Sequence, residues 1–119
     1  MDKEEQIKNF FKDKGIDLKQ IKGLTKESVF KGLNKQDALK ALKLYQELGV
    51  SVLGGDVLYL NNEGLVEYTS DSWHVDIFEN ESYSQFLNRS INESYAYISK
   101  YAPSFLRESS ILFDIIPDF

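Results

Sequence analysis

Residues 51–76 read SVLGGDVLYLNNEGLVEYTSDSWHVD, and the way this stretch folds decides the architecture of the whole chain. It holds the adjacent glycines Gly54 and Gly55, then Asp56, two short apolar runs, and the chain's only tryptophan beside its only histidine, Trp73 and His74. The runs at 57–60 and 65–69 are rich in β-forming residues. The four residues between them, Asn61, Asn62, Glu63 and Gly64, have the chemistry of a hairpin connection. Residues 50–53 read as a short strand before the glycines, which mark a turn or a bulge requiring positive φ. A further strand is expected over 72–78, with Trp73, Val75 and Ile77 on one face and His74, Asp76 and Phe78 on the other.

The flanking segments read as helices. Asn34, with Asp37 three residues on, caps a helix over 35–48 whose apolar positions are Ala38, Leu39, Ala41, Leu42, Tyr45 and Leu48, with Gly49 as its stop. Lys35, Lys40, Lys43 and Glu47 form its solvated face. Asp2 and Glu5 form a capping box for a helix over 3–14, with Ile7, Phe10 and Phe11 as its stripe and Gly15 as a left-handed end. Gly23 and Gly32 interrupt residues 16–33, where a short turn or strand is expected about 28–33.

Downstream, Asn80 or Ser82 opens a helix over about 81–101 with the stripe Tyr83, Phe86, Leu87, Ile91, Tyr95, Ile98 and Tyr101. Ser90 and Ser94 are small enough to let it lie close to a sheet. Pro103 prevents continuation. Residues 110–116 alternate Ile111, Phe113 and Ile115 against Leu112, Asp114 and Ile116, a strand re-entering the sheet with Pro117 at its exit. The order predicts a single α+β domain over 1–119. A mostly antiparallel sheet, a hairpin or meander over about 50–78 plus the C-terminal strand, packs against helices about 3–14, 35–48 and 81–101.

A chain of 119 residues with 42% apolar and 13% aromatic side chains can bury a core. Without cysteine it has no disulfide and no thiol chemistry, which fits a reducing compartment. No signal segment opens it and no apolar run approaches the roughly 20 residues of a membrane span, so a cytoplasmic location and no membrane partner are expected. Charge is unevenly spread. Residues 1–50 hold 11 Lys against 8 Asp and Glu, net +3; residues 51–119 hold 3 Lys and Arg against 11 acids, net −8. Seven acids and no cation lie between Asp56 and Glu81. Such a surface repels nucleic acid and attracts basic proteins; the plainer alternative is an acidic face that serves only solubility.

Candidate chemistries fall in turn. Gly54-Gly55-Asp56 precedes a strand, lacks a lysine and ends in an acid, so it is no phosphate cradle. Asp71, His74 and Asp76 have ligand chemistry, but one histidine and no cysteine leave a zinc site incomplete, and a His–Asp pair explains them equally. No G-x-S-x-G elbow occurs, and the acids, in strand and turn contexts, are expected to be exposed rather than held in an apolar pocket as paired-carboxylate chemistry needs. The expectation is a protein without catalysis or cofactor. Trp73 is expected to be at least partly buried under a helix, with an exposed interface anchor as the alternative.

The run ALKLYQELGVSVLGGDVLYLNNEGLVEYTSDSWHVD resembles immunity protein family 40 of bacterial polymorphic-toxin systems. An Ala-Leu helix (38–48), then GVSVLGGDVLYL, then Thr69 and Trp73, then a Ser/Tyr-rich helix ending in ISKY carry the likeness over roughly residues 30–101. The resemblance implies a cytoplasmic protein that binds and neutralises a toxin encoded beside it, without catalysis. The toxin's identity is not implied, nor any set of contact residues. Acidity fits a basic nuclease as the target, since nucleases carry positive surfaces for their substrates.

From the residues themselves, Asp56, Glu63, Glu67, Asp71 and Asp76 are candidates to face that toxin, with Tyr59, Trp73 and His74 as anchors. Glu67 and Thr69 share one strand face, leaving Val66 and Tyr68 to pack inward, so Tyr68 is read as structural. The rival readings are a small-ligand or metal-binding module around His74, and a regulatory interaction domain unrelated to toxins.

Overall fold

The computed structural model describes residues 2–15, 32–102 and 110–119. Its elements run α1 (Lys3–Lys14), α2 (Lys35–Leu48), β1 (Ser51–Leu60), β2 (Val66–His74), α3 (Tyr83–Lys100) and β3 (Ile111–Asp118). The strands form one antiparallel sheet in the order β2-β1-β3, giving the α+β fold that the sequence predicts.

Local chemistry sets the helix ends. Asp2 accepts from the Glu5 amide at 2.8 Å to start α1, and Asn34 accepts from the Asp37 amide at 2.8 Å to start α2. Ser82 and Gln85 form a full capping box at the start of α3, so Ser82 rather than Asn80 opens it. Gly49 ends α2 with φ 71°, a left-handed cap that favours glycine. Gly15 differs from expectation: it leaves α1 in extended backbone, with its amide still bonded to the Phe11 carbonyl. Lys35 is not merely solvated. Its ammonium donates to the Ser99 and Tyr101 carbonyls at 3.3 and 3.2 Å, placing positive charge at the negative end of α3.

The sheet corrects the reading of residues 50–78. The glycines do not separate two strands; they lie inside β1, one ten-residue central strand. Its pairing with β3 shifts between Val52 and Gly54, so Leu53 is the extra residue of a bulge, and Gly54 takes φ 150°. The runs at 65–69 and 72–78 likewise merge into one strand, β2, ending at His74. Leu58 pairs with Tyr68 and Asp56 with Ser72, so one residue of β1 faces three of β2, and Ser70 absorbs the excess at φ 76°. Residues 75–78 are not strand: after the Val75 amide bonds the Leu53 carbonyl at 2.9 Å, the chain turns away. Leu33 forms a single bridge to Phe113; the expected turn or strand at 28–33 otherwise lies outside the described residues.

Among the described residues α2 and α3 cover one face of the sheet, and α1 packs on α2, adding Ile7 and Phe11 to the same core. Val52, Val57, Phe113 and Ile115 of the sheet pack with Ala38, Ala41, Leu42 and Tyr45 of α2 and Ile91 and Ile98 of α3. Full burial of each Val, Leu, Ile or Phe among them is worth about 1.5–3 kcal/mol before entropy is charged. Tyr45 is buried and donates to the Ile115 carbonyl at 3.0 Å. Ser90 accepts from the Val52 amide at 3.0 Å, so a helix side chain supplies a partner for the backbone next to the bulge. On the opposite face Leu58, Val66 and Leu112 form a smaller buried cluster. The alternation in β3 is as expected, with Ile111, Phe113 and Ile115 on the helix side.

Candidate functional site

The β1–β2 edge carries most of the candidate residues, and register sorts them by face. Trp73 pairs with Gly55, and its ring points to the helix side. There its indole Nε1–H donates to Ser94 Oγ at 3.0 Å, and the ring stacks on Tyr97 with centroids 4.8 Å apart. Tyr97 leans on Tyr101 at 5.9 Å, and Tyr101 meets Phe113 edge-on at 5.9 Å. The Tyr101 hydroxyl donates to the Asp71 carboxylate at 2.6 Å. Burial first, and then that bond, push the Tyr101 phenol up to about 12. Trp73 is half-buried and roots the aromatic row that ties β2 to α3.

Tyr59 and Glu67 are direct cross-strand partners. Glu67 accepts from the Tyr59 hydroxyl and the Asn61 amide, each at 2.9 Å, which fixes the base of the hairpin. The hydrogen bond to Glu67, then burial and the carboxylate's charge, raise the Tyr59 phenol pKa. Glu63 stands exposed in the hairpin connection, its backbone amide bonded to Asn61 Oδ1. His74 and Asp76 lie where β2 ends, Nε2 to Oδ2 3.6 Å apart and both well exposed. Among the described residues no group of three or more His, Asp or Glu side chains gathers to hold a metal. Asp71 turns to Tyr101 while His74 turns to Asp76.

Asp56 is separated from the rest. It lies half-buried on the face away from the helices, directly across the ladder from Asp114. Burial, then the negative charge of Asp56, push the Asp114 carboxyl up to about 7, although the Ile115 amide pulls the other way. Asp114 Oδ1 is buried without a hydrogen-bond partner. Tyr68 shares this face and differs from its expected inward packing: Val66 is fully buried, but Tyr68 is 46% exposed. Tyr68 stands on the same rung as the buried Leu58 and Leu112, but on the edge strand, where it stays open.

Two residues absent from the candidate set stand out beyond His74. Ile77 and Phe78 are 58% and 62% exposed, in a loop that Arg89 of α3 grips from beneath. The guanidinium makes a two-pronged pair with Glu81, Nε to Oε2 at 2.7 Å and Nη2 to Oε1 at 2.8 Å. It also bonds the Asp76 carbonyl and Glu93, and lies 3.9 Å from the Phe78 ring centroid. Glu81 in turn accepts from the Phe78 amide at 3.1 Å, and the Arg89 bond holds its carboxyl below the usual range. The sequence signal was an adjacent apolar pair inside the acidic run; strand alternation hid it by assigning each residue to a different face.

These features describe a small α+β domain whose polar side chains hold a sheet edge and a loop in place, within an acidic stretch. The chain belongs to the immunity protein 40 family, whose family model matches residues 24–117. No curated protein and no solved structure matches the chain. Among the described residues no helix is long and apolar enough to cross a membrane.

Proposed function

We propose that this chain is the cytoplasmic immunity partner of a cognate polymorphic toxin, binding the toxin domain and blocking it without chemistry of its own. Family membership over residues 24–117 carries the reading, and the cation-free acidic run from Asp56 to Glu81 supports its finer part, a basic partner. A basic nuclease is the target class that this charge fits best.

On this reading the exposed acids Glu63, in the hairpin connection, and Asp76, with His74 beside it at the other end of β2, steer the toxin in. Glu67 and Asp71 add to the same field while holding Tyr59 and Tyr101. Tyr59 and Trp73 offer partly exposed aromatic surface along that edge, and Asp56 serves the outer face. Expression of the toxin domain encoded by the neighbouring gene, with and without this chain, tests the proposal. Growth rescue together with a co-purifying complex is the expected result. A neighbouring product that is toxic, yet is neither bound nor neutralised, overturns it.

A further inference from the structure

Exposed apolar side chains scattered singly are ordinary on a protein surface. Ile77 and Phe78 are adjacent, and they are held. The peptide that carries them is anchored on both sides: the Val75 amide bonds Leu53, and the Phe78 carbonyl accepts from the Glu81 amide at 3.0 Å to close a turn. Between those points Arg89 bonds the Asp76 carbonyl and covers one side of the Phe78 ring. The loop is therefore ordered before any partner arrives, which lowers the entropy that docking must overcome. The Val75 bond also brings Leu53, 41% exposed on its bulge, to the same end of the sheet.

Charge around the pair has one sign. Asp76 and Glu79 flank it directly. Arg89 adds no free positive charge, because it is shared between the Glu81 and Glu93 carboxylates. An apolar knob ringed by net negative charge complements an apolar pocket ringed by lysine or arginine.

We propose that Ile77 and Phe78, presented by the Arg89–Glu81 clamp, are the apolar anchor by which this chain seats in a Lys/Arg-rimmed hollow on the toxin domain. This rests on the toxin-binding function proposed above and locates its energetic centre. The acids beyond the loop set the rate of approach, and the knob sets the lifetime of the complex.

The test measures binding of the full chain to the toxin domain encoded by the neighbouring gene, inactivated in its own active site. The I77A/F78A double variant is compared with wild type. Both side chains are largely exposed, so the variant is expected to unfold with wild-type cooperativity, and a circular-dichroism melt checks this. The expected result is affinity weaker by ~10-fold or more, mainly through faster dissociation. A smaller loss overturns the anchor while leaving toxin binding intact. Absence of binding by the wild-type chain overturns the functional reading itself, so the two failures are told apart. As a second arm, D76K/E79K should slow association at low salt and lose that difference at high salt; an unchanged rate at low salt removes the charged rim from the proposal.

Discussion

Trp73 lies against Gly55 so closely that a Cβ on the glycine would sit 2.4 Å from ring atom Cη2 and 2.0 Å from the Asp114 carbonyl oxygen. The ring can shift, but the carbonyl belongs to the neighbouring strand and cannot. Gly55→Ala should therefore cost roughly 1–3 kcal/mol or more, at the upper end for overpacking. Urea unfolding measures the loss. Trp73 is the only tryptophan, so its fluorescence should move in step. A variant as stable as wild type contradicts the packing.

Ser94→Ala addresses the other side of the same ring. It leaves the partly buried indole N–H of Trp73 without its 3.0 Å acceptor while removing almost no volume. The expected cost is about 1–2 kcal/mol, as for a donor left unpaired. Ser94→Thr, if its methyl is accommodated, keeps the acceptor and should lose less.

Asp114 gives the fold a pH dependence with a definite sign. Its carboxyl is raised to about 7, above the ordinary carboxylate value, so the folded chain keeps a proton that the unfolded chain has released. Stability is then greatest in acid, falls as pH rises from about 4 towards 7, and levels beyond, by up to about 1.4 kcal/mol per unit within that window. Asp56, also raised by burial, acts in the same direction. Asp114→Asn removes one titration. Its unfolding free energy should vary less between pH 5 and pH 8 and exceed wild type at pH 8. Parallel curves for the two proteins contradict the assignment.

Glu63 and Glu67 separate charge from architecture. Glu63 is exposed in the hairpin connection, so Glu63→Lys should slow association with a basic toxin a few-fold at low salt and leave unfolding within about 0.5 kcal/mol. Glu67 accepts from Tyr59 and Asn61, so Glu67→Lys should also lose about 1–2 kcal/mol of stability. Stopped-flow association and urea titration on both variants distinguish the two effects.

Helix limits were legible because they are written in single residues: Asn34, Gly49 and Ser82 act through bonds to atoms at most four residues away. The inward side of β3 was legible from its alternation. The continuity of β1 was not. Gly54 and Gly55 carry a turn's composition, but they answer to a bulge and to an aromatic ring from the next strand, and one sequence writes both needs identically. The Asp56–Asp114 juxtaposition depends on register between distant segments, which no local pattern contains. Ile77 and Phe78 fit a strand's alternation; the side chain that holds their loop outside the sheet, Arg89, comes one helix later.

The bulge at Ser70 has a consequence for how any partner can engage the sheet. β2 is an edge strand, the kind of border on which another chain can lay a further strand by backbone bonding. At Ser70 the backbone reverses its φ, and the Thr69 hydroxyl is drawn inward to the Val57 carbonyl while accepting the Asp71 amide. A kinked border of this kind makes a poor template. The edge is thereby blunted against self-association into ribbons, and it leaves side chains rather than backbone as what this border presents.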